Sequence, residues 1–135
     1  MHNLKVAWSI DDDAEMGYII RLMLKAMGFE ARSFLHPREA VQLMMHGAMP
    51  DLIVLDMNMP GVTGVDVLEF VRGRHRWDHI PIIILSVESA DELVDRVMNL
   101  GADGYVFKPI TMDELEEAIE MAVKKRHMNI LHKGE

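Results

Sequence analysis

Four short apolar runs that do not alternate with polar residues constrain this chain more than any other feature. They are Val6 to Ile10, Leu52 to Leu55, Ile82 to Leu85 and Tyr105 to Phe107. Short runs rich in Ile and Val, without a period of two, mark strands buried on both faces of a parallel sheet. Glu30 to Phe34 is half polar and reads as a fifth strand at a sheet edge. Between these runs the apolar residues take the helical period. Met16, Ile19, Ile20, Met23, Leu24 and Met27 share one face of a helix ended by Gly28. Pro37 suits the first turn of a second helix reaching about Gly47. Val67, Leu68 and Val71 mark a third, and Leu93, Val94, Val97 and Leu100, closed by Gly101, a fourth. Leu115, Ala118, Ile119, Ala122 and Val123 mark the fifth. Ser89 to Glu92 and Thr111 to Glu114 have the spacing of capping boxes for helices four and five. A strand followed by a helix, five times over, with right-handed crossovers, gives an α/β fold, a (βα)5 doubly wound open parallel sheet.

The length of 135 residues suits one domain. Residues 1–125 are expected to form it, with 126–135 a C-terminal tail or the start of a linker. Lys and Arg number 14 against 22 Asp and Glu, a net charge of −8, which argues against direct nucleic-acid or anionic-membrane binding. The chain has no Cys. That excludes disulfides, Cys-zinc sites and thiol catalysis, and suits a reducing cytoplasm. No apolar run approaches a membrane span, and Met1 to Lys5 lacks the apolar region of a secretory signal.

In an open α/β sheet, ligands bind beyond the carboxyl ends of the strands, so the residues ending each strand carry the chemistry. Strand one ends in Asp11, Asp12 and Asp13, strand three in Asp56, strand four in Ser86, and strand five in Lys108-Pro109. Asp13 is best explained as the cap of helix one. Asp56 resists that explanation, because Met57-Asn58-Met59-Pro60-Gly61 makes too long a loop for a simple cap. Several carboxylates in one crevice cannot all stay ionised cheaply without a cation, and an all-oxygen donor set points to a hard divalent ion, Mg²⁺ foremost. A carboxylate beside such an ion, with a lysine and a hydroxyl nearby, is equipped to accept a phosphoryl group.

These residues resemble the response-regulator receiver domain of two-component signalling, over Leu4 to about Lys125. The likeness rests on Ile10-Asp11-Asp12, on Leu55-Asp56-Met-Asn-Met-Pro60-Gly61 with Gly64, on Pro81 to Ser86, and on Gly101-Ala-Asp-Gly-Tyr105-Val-Phe-Lys108-Pro109. It implies a flavodoxin-like strand order 2-1-3-4-5 and a bacterial, cytoplasmic phosphorelay switch that catalyses its own phosphorylation and dephosphorylation. Asp56 would be the phosphoacceptor, and Asp11, Asp12, Asp56 and the backbone carbonyl of Asn58 the Mg²⁺ ligands. Lys108 would pair with the phosphoryl group, and its peptide bond to Pro109 would be cis. Ser86 would be the switch hydroxyl and Tyr105 the aromatic switch, relaying to the face of helix four, strand five and helix five. A sensor histidine kinase or phosphotransfer protein would supply the phosphoryl group. An output domain or protein would read it, and a phosphorylation-dependent homodimer is a further expectation. No output segment follows Arg126, so the chain reads as a stand-alone regulator or a receiver from a longer protein. Gly104 stands where the commonest DNA-binding class favours a second Asp, an argument against that class's dimer.

Val87, where the family often has Ala, together with polar Asn58 and Glu88, leads us to expect a short-lived phosphorylated state. Trp8 is expected to pack, and Gly17, Tyr18 and Leu22 to lie off the core face of helix one as a kinase-docking patch or ordinary surface. The alternative function is a small Mg²⁺-dependent phosphatase with an aspartyl nucleophile. That class wants an acid two residues after the nucleophile, where Asn58 stands. A flavin carrier would need a hydroxyl- and Gly-rich first loop, which is lacking. Arg72, Arg74 and Arg76 are expected to favour the end of helix three, and His75, His79, His127 and His132 to be ordinary exposed residues.

Overall fold

The computed structural model describes residues 5–133, with side chains as far as Met128. Met1 to Leu4 and the His132 side chain, which carried sequence-based expectations, lie outside the described residues. Five parallel strands form one sheet in the order β2-β1-β3-β4-β5. They are β1 (Val6–Ile10), β2 (Glu30–Phe34), β3 (Leu52–Asp56), β4 (Ile82–Ser86) and β5 (Gly104–Phe107). The helices are α1 (Ala14–Ala26), α2 (Pro37–Met45), α3 (Gly64–Arg72), α4 (Asp91–Asn99) and α5 (Met112–Lys133). Every residue of β3 and β4 is buried. That explains why neither strand alternates in sequence: both of its faces are covered.

The sheet divides two apolar layers. Trp8, Ile10, Ile53, Leu55, Ile82 and Ile84 face α2, α3 and α4 through Ala40, Leu68, Val71 and Val97. Ala7, Leu52, Val54, Ile83 and Leu85 face α1 and α5 through Ile20, Leu24, Leu115 and Ile119. Each fully buried aliphatic side chain contributes about 1.5–3 kcal/mol, so the central strands hold the scaffold on which the site is built. Trp8 packs as expected, its ring centroid 4.8 Å from that of Phe34. Among the described residues no helix is long and apolar enough to cross a membrane.

Two local expectations are corrected. Helix α4 begins one residue later than its sequence signal, so the cap position falls on Ala90, which has no side-chain cap. Ser89 is thereby one residue short of reaching the first free N–H groups. At α5 the expected cap forms, Thr111 Oγ1 accepting from the Glu114 N–H at 3.2 Å. A full capping box opens α3 instead, between Thr63 and Asp66. Gly17 is buried, not surface: a Cβ there would lie 3.6 Å from the Cβ of Ser33, so α1 packs closely on β2 at that point.

Arg72 and Arg126 are more than helix-end cations. Asp103 is buried and accepts from Arg72 Nη2 at 2.9 Å, from Arg126 Nε at 3.0 Å and from the Ile82 N–H at 2.9 Å. Arg72 also donates to the carbonyls of Gly101, Trp77 and Ile80. Burial, the largest influence on it, lowers the Arg72 guanidinium to about 10. This knot ties α3, the start of β5 and α5 together at the amino ends of the strands. Helix α5 runs unbroken past residue 126, so Arg126, at the expected start of the tail, is packed into the body of the domain. Arg74 and Arg76 lie over Phe70 and Trp77.

Candidate functional site

Strand register assembles the acidic crevice. Ile10 of β1 pairs with Leu55 of β3, so the next residues along, Asp11 and Asp56, stand side by side. On the far side of β3, Asp56 pairs with Leu85, and Ser86 pairs with Phe107 of β5. Ser86 and Lys108 are thereby delivered to the same rim. Oxygens of Asp11, Asp12 and Asp56 lie within 4.8 Å of one another. Asp11 and Asp56 are buried and Asp12 is exposed, so the cluster opens to solvent at one corner.

The donors within the crevice are few. Lys108 Nζ donates to Asp56 Oδ1 at 2.8 Å, and the Asn58 backbone N–H donates to the same oxygen at 3.3 Å. Asp11 Oδ1 accepts from the Asp13 N–H at 2.9 Å, whereas Asp11 Oδ2 is buried with no hydrogen-bond partner. Burial, the largest influence, raises the Asp11 carboxyl to about 6. The Asp13 N–H pulls it down, the charge of Asp56 pushes it up and that of Lys108 pulls it down again. Asp13 stands apart from the cluster, its Oδ1 capping α1 through the N–H groups of Glu15 and Met16.

An orphaned, buried carboxylate oxygen among three acids fits a hard divalent cation, which prefers oxygen ligands and removes the cost of unpaired negative charge. Among the described residues this is the one group of three His, Cys, Asp or Glu side chains with such spacing. His79 and His127 come together only as part of the lining of a cleft at the other end of the sheet, beside Lys5 and Asp51.

The two hydroxyls expected to act as switches meet at a single residue. Ser86 Oγ accepts from the Glu88 N–H at 3.0 Å, and the Tyr105 hydroxyl donates to the Glu88 carbonyl at 2.9 Å. The Lys108–Pro109 bond is cis. Gly64 belonged to the sequence motif without a role, and the structure supplies one. A Cβ there would stand 2.5 Å from the Asp56 carbonyl oxygen and 2.9 Å from the Met57 Cα. Only glycine lets α3 begin so close beneath the strand end that carries Asp56.

A parallel sheet in this order with three acids, a lysine and a hydroxyl at its carboxyl rim defines a class, the receiver-type α/β domain. The family model described as the response regulator receiver domain matches residues 8–120, and the chain belongs to that family. It is 34% identical over 111 residues to the chemotaxis protein CheY of Pseudomonas aeruginosa, covering 82% of this chain and 90% of that protein. It is 30% identical over 122 residues to the phosphate regulon transcriptional regulatory protein PhoB of Rhizobium meliloti, covering 90% of this chain and 53% of that protein. The chain thus spans about half of that relative's length. Among solved structures, chemotaxis protein CheY4 of Vibrio cholerae superposes with a TM-score of 0.81 at 25% identity, covering 89% of this chain and 99% of that one. A receiver domain protein from Clostridium thermocellum gives 0.81 at 25% identity, over 93% and 98%.

Proposed function

We propose that the chain is a phosphorylation-controlled switch that accepts a phosphoryl group on Asp56 from a sensor histidine kinase or phosphotransfer protein. The observation that carries the reading is Asp56 Oδ1 held at 2.8 Å by Lys108 beside the unpartnered Asp11 Oδ2. The Asp56 carboxylate attacks the donor phosphorus, the acyl–phosphate O–P bond forms and the bond from phosphorus to the donor imidazole breaks, the electron pair leaving with the imidazole. Asp11, Asp12, Asp56 and the Asn58 carbonyl would hold Mg²⁺. When bound, that ion screens phosphoryl charge that Lys108 alone cannot offset. Because attack and departure are in line, what this chain supplies is position, through the close-packed backbone at Gly64 and the Asn58 N–H.

The new group carries a charge of about −1.5 to −2 at neutral pH. Ser86 is the nearest hydroxyl on the neighbouring strand end, and turning its O–H toward the phosphoryl oxygens takes it from the Glu88 N–H. The same residue's carbonyl holds Tyr105, so the β4–α4 loop and Tyr105 respond together, altering the face of α4, β5 and α5 that an output partner would read. Val87, Asn58 and Glu88 are exposed at the mouth, where water enters. We therefore expect a short-lived phosphorylated state, in a protein working in the cytoplasm. A phosphoprotein that persists for many hours in Mg²⁺ would contradict that.

The test is incubation with acetyl phosphate and Mg²⁺. The wild type should take up one phosphoryl group and Asp56→Asn none, with Asp11→Asn strongly impaired. Undiminished uptake by Asp56→Asn would refute the assignment.

A further inference from the structure

A cleft of about 420 Å³ lies at the amino ends of β1, β3 and β4, the opposite end of the sheet from Asp56. That size falls within the range of small-molecule sites, roughly 300–1,000 Å³. Its apolar wall is made by Phe29, Leu52, Pro81 and Val123. Val123 belongs to the apolar period of α5 and yet is 47% exposed, because it lines this cleft and not the core. The polar wall is made by Lys5, His79, Arg126, His127 and Asp51. Four basic side chains thus stand against one acid, in a chain whose Asp and Glu outnumber its Lys and Arg by 22 to 14. No part of the phosphoryl site uses any of them.

The hydrogen bonds already made decide what the cleft has left to offer. Asp51 Oδ2 accepts from the Val6 N–H at 2.8 Å, so the acid is tied to the backbone at the start of β1. The Asp51 N–H and the Lys5 carbonyl are spent as well, on the Val6 carbonyl and the Glu30 N–H. Among the described residues, Lys5 Nζ and the rings of His79 and His127 have no hydrogen-bond or ion-pair partner. Arg126 is buried, and within its knot the one carboxylate of Asp103 faces two guanidinium groups. The cleft therefore holds donors and positive charge in excess beside an apolar wall, with only Asp51 to accept. A neutral or cationic ligand leaves those donors unanswered, whereas an oxyanion on an apolar body satisfies both walls. A helix, with a diameter of about 10–12 Å, is too wide for it.

We propose that this cleft binds a small organic oxyanion, a carboxylate or phosphate carried on an apolar body, with Lys5 and His127 at the head group and Val123 against the body. The proposal goes beyond phosphoryl transfer at Asp56 and is tested without Mg²⁺ or a phosphodonor for that site, so its failure leaves the assignment of Asp56 standing. The experiment is titration of the full chain in EDTA with naphthoate, naphthyl phosphate and the uncharged naphthalenemethanol, followed by calorimetry and amide-resolved NMR. At least one anion should bind roughly tenfold or more tightly than the alcohol, and the tighter of the two names the head group. The shifted amides should centre on Val6, Leu52 and Ile82 at the strand starts, and not on Asp56. Lys5→Glu and His127→Glu, both at exposed positions, should each weaken anion binding by roughly tenfold, as an attraction becomes a repulsion. Asp51→Asn keeps an oxygen for the Val6 N–H and should tighten it, Val123→Asp should remove it, and added salt should weaken it. No anion binding at millimolar concentration, an alcohol that binds as tightly as the anions, shifts centred elsewhere, or charge variants that bind like wild type would each overturn the proposal.

Discussion

Replacing Asp11 by Asn should make the metal-free protein more stable at neutral pH. The reasoning starts from one oxygen: Asp11 Oδ2 is buried without a partner beside the Asp56 carboxylate, and the group's affinity for a proton is raised from 3.8 to about 6. At about 1.4 kcal/mol per tenfold change in proton affinity, that interval amounts to about 3 kcal/mol. For a raised carboxyl the favourable contribution is present below the unfolded value near 3.8 and is lost as pH climbs through about 6. In EDTA at pH about 7.5 the wild type therefore carries the full penalty, while the neutral amide carries none. Asp11→Asn keeps the oxygen that accepts from the Asp13 N–H, so it removes the charge with little change of shape. Urea denaturation should show the variant more stable by up to about 3 kcal/mol near pH 7.5, the gap shrinking to about 1 kcal/mol near pH 4.5. A variant less stable than wild type at neutral pH, or a difference that ignores pH, would refute the claim that uncompensated charge at Asp11 is the strained element of the site.

The same carboxyl governs cation affinity: below pH about 6, Mg²⁺ binding followed by calorimetry should weaken roughly tenfold for each unit of acidification, as a proton occupies Asp11. Asp103→Ala, which strands the buried guanidinium groups of Arg72 and Arg126, should cost about 3–5 kcal/mol by denaturant unfolding. Gly64→Ala should depress phosphoryl uptake at saturating Mg²⁺ while urea unfolding remains cooperative, because the added methyl displaces the backbone at Asp56. Ser86→Ala should still take up phosphoryl on Asp56, but the near-ultraviolet change attributed to Tyr105 on phosphorylation should disappear.

The fold was legible because β3 and β4 are buried on both faces, and that burial writes an unmistakable run of Ile, Val and Leu. The edge strand β2, with one edge and part of each face in water, was legible only as a half-polar segment. Polar residues at strand ends exposed the site, since a parallel sheet sends all its carboxyl ends to one rim. Local signals did worse where tertiary contacts chose among equivalent options. The Ser89 cap lost to a helix starting one residue later, and Gly17 looked like surface because a residue without a side chain leaves no trace in an apolar period. The Arg72–Asp103–Arg126 knot joins residues far apart in sequence, and nothing local distinguishes Arg72 from Arg74. Gly64 was visible as part of a motif, but its reason, a backbone approach to Asp56, exists only in three dimensions.

The central claim is that one carboxylate, Asp56, receives the phosphoryl group. Brief treatment with acetyl phosphate and Mg²⁺, followed by borohydride reduction and peptide mass mapping, reads that directly, because hydride converts an acyl phosphate to an alcohol and leaves free carboxylates untouched. The account predicts conversion of Asp56 to homoserine, with Asp11, Asp12 and Asp13 unmodified and no conversion when Mg²⁺ is withheld by EDTA. Reduction at Asp11 or Asp12 with Asp56 intact, or no reduced residue at all in phosphorylated protein, would contradict it.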